Sequence, residues 1–129
     1  MVIGILRVIH EIRLKKPSAT IVVNGLLPRT FNRKGYVMKG RSNFFTWNGV
    51  AFPSLWADIV AINEELKNYA ESNEKMRYFN TNEFFVDKDA PTNQLRIDSK
   101  LMPDHLHPSA TGYDLWGNQI VAVLDELIR

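Results

Sequence analysis

The stretch that most limits what this chain can fold into is Thr20–Leu27, a continuous apolar run through Ile21, Val22 and Val23. It shows no in/out alternation, so it reads as a strand covered on both faces, the habit of parallel sheets. Helical patterns precede and follow it. Residues 2–16 carry Ile5, Ile9 and Ile12 at spacings of four and three, with Leu6 and Val8 widening the stripe. Lys15 and Lys16 suit the end of that helix, and Pro17 stops it. Its start has no Ser, Thr, Asp or Asn cap, so it reads as a helix entered in its middle. Residues 55–72 carry Leu55, Ile59, Ile62, Leu66 and Tyr69 on one side, with Ser54 placed to cap them. Glu64, Glu65, Lys67 and Glu71 take the other side. Met76–Phe79 reads as a second strand and leads into the segment Asn80–Val86.

A helix between two parallel strands is one right-handed βαβ unit. The expected fold class is therefore α/β, part of a three-layer α/β/α sandwich with a parallel sheet, flavodoxin-like in layering. A last amphipathic helix over about 110–128 is expected to bury Tyr113, Trp116, Ile120, Leu124 and Leu127. Two strands make a poor sheet. Buried parallel strands need neighbours at their edges and helices on both faces. An unpaired apolar edge promotes association, so the chain by itself is expected to be marginally stable or to self-associate, or to take a partner chain at that edge.

Composition excludes several functions. With 129 residues there is room for one domain. No cysteine is present, which rules out a disulfide, a thiolate metal site and a cysteine nucleophile. The net charge of +2 is too small to argue for nucleic acid, although the pI is near 9.0. No apolar run approaches the ~20 residues of a membrane span. Arg7 interrupts the apolar start, so residues 1–7 do not read as a signal peptide, and the compartment is left open.

Residues 28–53 form a long segment read as irregular. Arg29, Arg33, Lys34, Lys39 and Arg41 bring five positive charges without an acid, and Phe31, Tyr36, Phe44, Phe45, Trp47 and Phe52 interleave with them. Single-stranded nucleic-acid platforms share that composition, but no matching basic face occurs elsewhere. A solvated loop packed through its aromatics, or a lid at the carboxyl ends of the strands, fits better. Asp87–Ser99 reads as a polar loop containing Pro91 and Asn93.

The chemistry concentrates in Asp104-His105-Leu106-His107-Pro108-Ser109-Ala110-Thr111-Gly112-Tyr113. An Asp three places before a His can fold back on one loop. The Asp104 carboxylate would accept the Nδ1 proton of His107 and leave Nε2 as a base. Pro108 stiffens the exit and Ser109 is placed to cap the following helix. Asp-x-x-His-Pro just before the last helix resembles the final motif of the SGNH/GDSL hydrolases. Asn24-Gly25-Leu26-Leu27-Pro28-Arg29 is similar to the turn that closes a strand in their platelet-activating-factor acetylhydrolase-like branch. The Asp98–His107 stretch and the Gly112-Tyr113 and Trp116-Gly117 pairs resemble it in the same way.

What the resemblance implies is an SGNH hydrolase fold without its N-terminal strands, and a Ser-His-Asp ester hydrolase in which Asp104 and His107 are catalytic. The substrate would be a small acyl ester, such as a lipid or carbohydrate acetyl ester, and neither cofactor nor metal is implied. The family's Gly-Asp-Ser motif and the segments completing its oxyanion hole do not occur here. The chain is therefore expected to correspond to one partial domain, the C-terminal half of such an enzyme, and to be inactive alone. The alternatives are a non-catalytic partner-binding module and one half of a split hydrolase. A metal site formed by Asp104, His105 and His107 is a further reading, weakened by the turn expected at Pro108. Among Ser18, Ser42, Ser54, Ser72, Ser99 and Ser109, three (Ser54, Ser72 and Ser109) have cap or turn roles, Ser99 lies on no strained strand-to-helix turn, and Ser42 in the basic segment stays open as a substitute nucleophile. Arg29 and Asn24 sit near the strand end, where they either face a cleft or satisfy local polar groups.

Overall fold

A computed structural model describes residues 1–37, 44–47, 50–53, 55–87, 89–90 and 95–129, with 44–47 and 50–53 as backbone. Lys39, Arg41, Ser42, Ser54, Pro91 and Asn93 therefore lie outside the described residues. The element order is α1 (Val2–Lys15), β1 (Ile21–Asn24), β2 (Phe44–Trp47), β3 (Val50–Pro53), α2 (Trp56–Glu71), β4 (Met76–Phe79), α3 (Asn82–Phe85) and α4 (Ala110–Ile128). The two strands read from the apolar runs pair in parallel, Ile21 opposite Met76 and Asn24 opposite Phe79, with α2 as the crossover. The α/β class and the parallel sheet are thus present. None of the described helices is long and apolar enough to cross a membrane.

One face of this sheet carries the first core. Ile21 and Val23 of β1 and Met76 and Tyr78 of β4 alternate onto the same side. They meet Leu66, Ala70, Ile62 and Tyr69 of α2 and Ile5, Leu6 and Ile9 of α1. On the opposite face Phe79 stacks on Phe84 of α3, centroids 5.5 Å apart.

A second core lies under the loops. Val37, Phe85, Ile97 and Met102 are buried together, with Leu27, Trp56, Leu95, Leu101 and Trp116 packed around them. Three extended segments are stitched over it. Tyr36 bridges Arg96 and Val86 bridges Ile97, both antiparallel. Ile97 N–H donates to the Gly35 carbonyl at 2.9 Å, and Asp98 N–H donates to that of Phe85 at 2.9 Å.

Three expectations are corrected here. The 28–53 segment is not irregular throughout, because β2 and β3 form an antiparallel pair with Trp47 opposite Val50. The two residues between them in sequence are Asn48 and Gly49, a dipeptide favoured in two-residue hairpins. The stretch 87–99 is not simply a polar loop, because Leu95 and Ile97 are in or against the second core. The last helix does not bury its whole apolar face. Trp116, Ile120 and Leu127 are half-buried, but Tyr113 and Leu124 are 55% and 41% exposed. On α1, Ile3, Val8 and Leu14 are likewise exposed. Helix α2 starts at Trp56 behind Leu55, with no side-chain cap.

Candidate active site

The turn between the second core and α4 positions the candidate residues. Its entry is fixed by Asp98, whose carbonyl accepts the N–H of Leu101 and of Met102, and by the fully buried Met102 side chain. Its exit is fixed by Ser109. Ser109 Oγ accepts the Gly112 N–H at 3.1 Å as the cap of α4 and donates to the Lys100 carbonyl at 2.8 Å. Ser109 N–H donates to Leu101 O at 2.7 Å. The helix start lies so close to this turn that a Cβ on Gly112 would run into the Leu101 carbonyl. Chain between two such anchors has little freedom.

Asp104 and His107 meet within it. Asp104 Oδ2 is 2.7 Å from His107 Nδ1, while Oδ1 accepts the backbone N–H of His107 at 2.7 Å and of Leu106 at 3.0 Å. One carboxylate thus holds both the backbone and the ring of the same histidine. The His107 N–H first, then its ring, then the Leu106 N–H hold the Asp104 carboxyl well below the usual carboxylate range. An ionised Asp104 favours the proton on His107 Nδ1, which leaves Nε2 free to accept one. The His107 side chain is 72% exposed, so Nε2 is open to a reactant.

His105 does not join that pair. Its backbone has φ +57°, and its ring lies against Gly35. The His105 carbonyl accepts the N–H of Thr30 at 3.3 Å. This contact ties the turn to the segment leaving the carboxyl end of β1. The metal reading loses its third ligand by this geometry, and among the described residues no group of three His, Asp or Glu is placed to hold a metal.

The other candidates have local roles. Ser72 Oγ donates to Asn68 O at 2.7 Å at the end of α2. Ser18 and Ser99 are exposed. The Arg29 guanidinium lies over the Phe31 ring, 4.8 Å from its centroid. Asn24 is exposed. The residues that satisfy the backbone leaving β1 are instead Asn63 and Thr81. Asn63 accepts from Leu26 N–H at 2.6 Å and donates to Leu26 O at 3.0 Å, and Thr81 Oγ1 donates to Gly25 O at 2.6 Å. A signal for Asn63 exists in the sequence. It interrupts the α2 stripe between Ile59 and Leu66, at a position where only a satisfied polar group can be buried.

Comparison with known proteins bears on the fold. No family model and no curated protein matches the chain. Among solved structures it is similar to the esterase domain of the ZfL2-1 ORF1 protein from the zebrafish ZfL2-1 retrotransposon, with a TM-score of 0.64 at 22% identity. The match covers 95% of this chain and 56% of that one, so this chain spans little more than half of its neighbour's length. The likeness shows the fold: a mixed α/β architecture, hydrolase-like in its layering, with a parallel two-stranded sheet and helices.

Proposed function

We propose that this chain supplies the acid–base part of a serine-type ester hydrolase of the SGNH/GDSL kind. His107 is the general base, and then the general acid, while Asp104 orients it. The observation that carries this reading is the twofold grip of Asp104 on His107, with Nε2 left open. The hydroxyl nucleophile attacks the acyl carbon as His107 Nε2 takes its proton, and the alcohol leaves with that proton. The acyl-enzyme is hydrolysed by water activated at the same nitrogen. Substrates are small acyl esters, among them lipid or carbohydrate acetyl esters. The Gly25–Arg29 turn supports the platelet-activating-factor acetylhydrolase-like branch within that class.

The nucleophile comes, in this reading, from polypeptide that adds a parallel strand to the free edge of β1. Ile21 N–H donates to the Lys75 carbonyl just before β4, and Gly25 N–H donates to the Phe79 carbonyl of β4. Alternation then turns the N–H groups of Val22 and Asn24 to the opposite edge, where no described strand pairs. At the β4 edge, by contrast, Arg77 donates to the Met76 carbonyl at 3.2 Å. A parallel strand on β1 would end where Thr30 meets His105, which brings its following loop to His107. Its helices would cover Val8 and Ile12 on α1 and Val121, Leu124 and Ile128 on α4, which are exposed at one-turn spacings. A second copy fits less well, because a twofold axis pairs edge strands antiparallel and brings opposite ends together.

The test uses the assembly isolated with this chain, a short-acyl nitrophenyl ester and a serine-reactive fluorophosphonate. His107→Ala is expected to lower hydrolysis by at least about 10³-fold, and the label is expected on a serine outside residues 1–129. The isolated chain is expected to show neither turnover nor labelling, and labelling of one of its own serines would overturn the assignment. Val22→Pro removes an N–H that β4 does not use, so it is expected to block assembly and leave the β1–β4 pairing intact. An assembly that forms normally with Val22→Pro rules out this edge. Stable assembly without labelling would favour the second reading, a non-catalytic partner-binding module, which the uncovered apolar flanks also support.

A further inference from the structure

We infer that His105 is a positioning residue for His107, and that Gly35 is the seat that makes this position tenable. The inference rests on the reading of Asp104 and His107 as an oriented pair. Both partners of that pair are exposed, their side chains 55% and 72% accessible. An ion pair or hydrogen bond in water is weakly held by itself, so its orientation must come from the backbone.

The backbone between the partners has one unusual residue. Among the described residues only Lys75 and His105 have positive φ without being glycine. At φ +57° His105 turns the chain so that the N–H groups of Leu106 and His107 both reach Asp104 Oδ1. A side chain with a Cβ disfavours this conformation, which persists only where surrounding structure compensates.

The compensation comes from the segment that follows β1. His105 N–H donates to Met102 O at 3.0 Å, and its carbonyl accepts from Thr30 N–H at 3.3 Å. Its imidazole edge lies on the bare Cα of Gly35, where a Cβ would stand 2.9 Å from Nε2 and 3.0 Å from Cδ2. Gly35 is itself at φ +78° and buried, held by its N–H on Asn32 O and its carbonyl on Ile97 N–H. The second core therefore fixes Gly35, Gly35 seats the His105 ring, and the seated ring stabilises the left-handed turn that presents His107 to Asp104. The start of the basic and aromatic segment thus acquires a function as the support of the proposed base.

The experiment reads the tautomer of neutral His107 by ¹⁵N NMR on the 129-residue chain, with amide exchange in β1 and β4 to report folding. The wild type is expected to hold the proton on Nδ1. His105→Ala keeps the backbone penalty and removes the ring, so the Nδ1–H tautomer is expected to give way to a mixture. His105→Gly removes the penalty along with the ring and is expected to retain Nδ1–H. Gly35→Ala blocks the seat and is expected to lose Nδ1–H, with recovery in the Gly35→Ala/His105→Gly double variant. If Gly35→Ala does not fold, His105→Ala against His105→Gly decides the matter. Unchanged Nδ1–H in His105→Ala, or equal loss in His105→Gly, overturns the inference while leaving the Asp104–His107 pair standing. A wild type without Nδ1–H overturns both.

Discussion

The two cores of this molecule are built differently. The first joins α1, β1, α2 and β4, and its residues recur with helical or strand spacing: Ile5 and Ile9, Leu66 and Ala70, Ile21 and Val23, Met76 and Tyr78. The second joins Val37, Phe85, Ile97 and Met102, four residues from four separate segments with no shared period. The first forms the scaffold, and the candidate site rests on the second. The candidate turn is thereby held by tertiary closure of several loops, whereas the scaffold beneath it is secured by local periodicity.

Phe85→Ala would break the comparison most severely. Phe85 is fully buried with Trp116 edge-on at 6.2 Å, and its loss is expected to cost about 3–5 kcal/mol in a denaturant titration. It should also loosen the His107 turn, because Asp98 at the turn's entry bonds to the Phe85 carbonyl. Leu66→Ala in the first core is expected to cost about 2–5 kcal/mol, with the tautomer of His107 unchanged while the protein remains folded. If Leu66→Ala alters His107 as much as Phe85→Ala does, the two cores are a single mechanical unit and the distinction fails.

Asn63→Leu tests the junction. It removes both hydrogen bonds to Leu26 and leaves part-buried backbone groups unpaired, at up to about 1–3 kcal/mol for each such group. Its effect should be seen at both cores, because Leu26 lies between Val23 of the first and Leu27 at the rim of the second. Ser109→Ala removes the cap of α4, with an expected cost of about 1 kcal/mol. Amide exchange should then rise at Gly112 and in the site turn, with β1 and β4 unaffected.

The smallest effect is one of pH. The Asp104 carboxyl is lowered by its bonds to the His107 N–H, the His107 ring and the Leu106 N–H. A depressed carboxylate contributes stability that is complete above the unfolded value near pH 3.9 and is lost as pH falls through the folded value. The Asp104 carboxyl ¹³C shift is thus expected to titrate below the ordinary carboxylate range. In Gly35→Ala it should move back toward that range. A midpoint near 3.9 in the wild type would count against the twofold grip.

The βαβ unit was legible because each of its parts carries a local pattern. The unbroken apolar run at Ile21–Val23 marks a strand covered on both faces, and the stripe through Ile59 and Leu66 marks a helix by its period. The Asp104–His107 spacing was legible as well, because a carboxylate three residues before a histidine closes on itself through local backbone. Asn63 and Thr81 were not, since a polar residue within the α2 stripe signals burial without naming its partner, and Thr81 in the loop after β4 carries no periodic signal at all. Nor were Gly35 and His105, whose contact joins residues remote in sequence through a conformation that local propensity disfavours. The uncovered flanks of α1 and α4 follow the same rule. Sequence marks a face as apolar, but whether anything lies on it depends on the rest of the fold.

The class of the fold, the strands that pair and the two residues of the candidate acid–base pair follow from local patterns, because apolar patterning and short-range closure act between near neighbours. The assembly of a second core from Val37, Phe85, Ile97 and Met102, the tie of Asn63 between α2 and the chain leaving β1, and the seat of the His105 ring on Gly35 come from tertiary closure. Such contacts gain their free energy only once distant segments have been brought together, so no local pattern announces them.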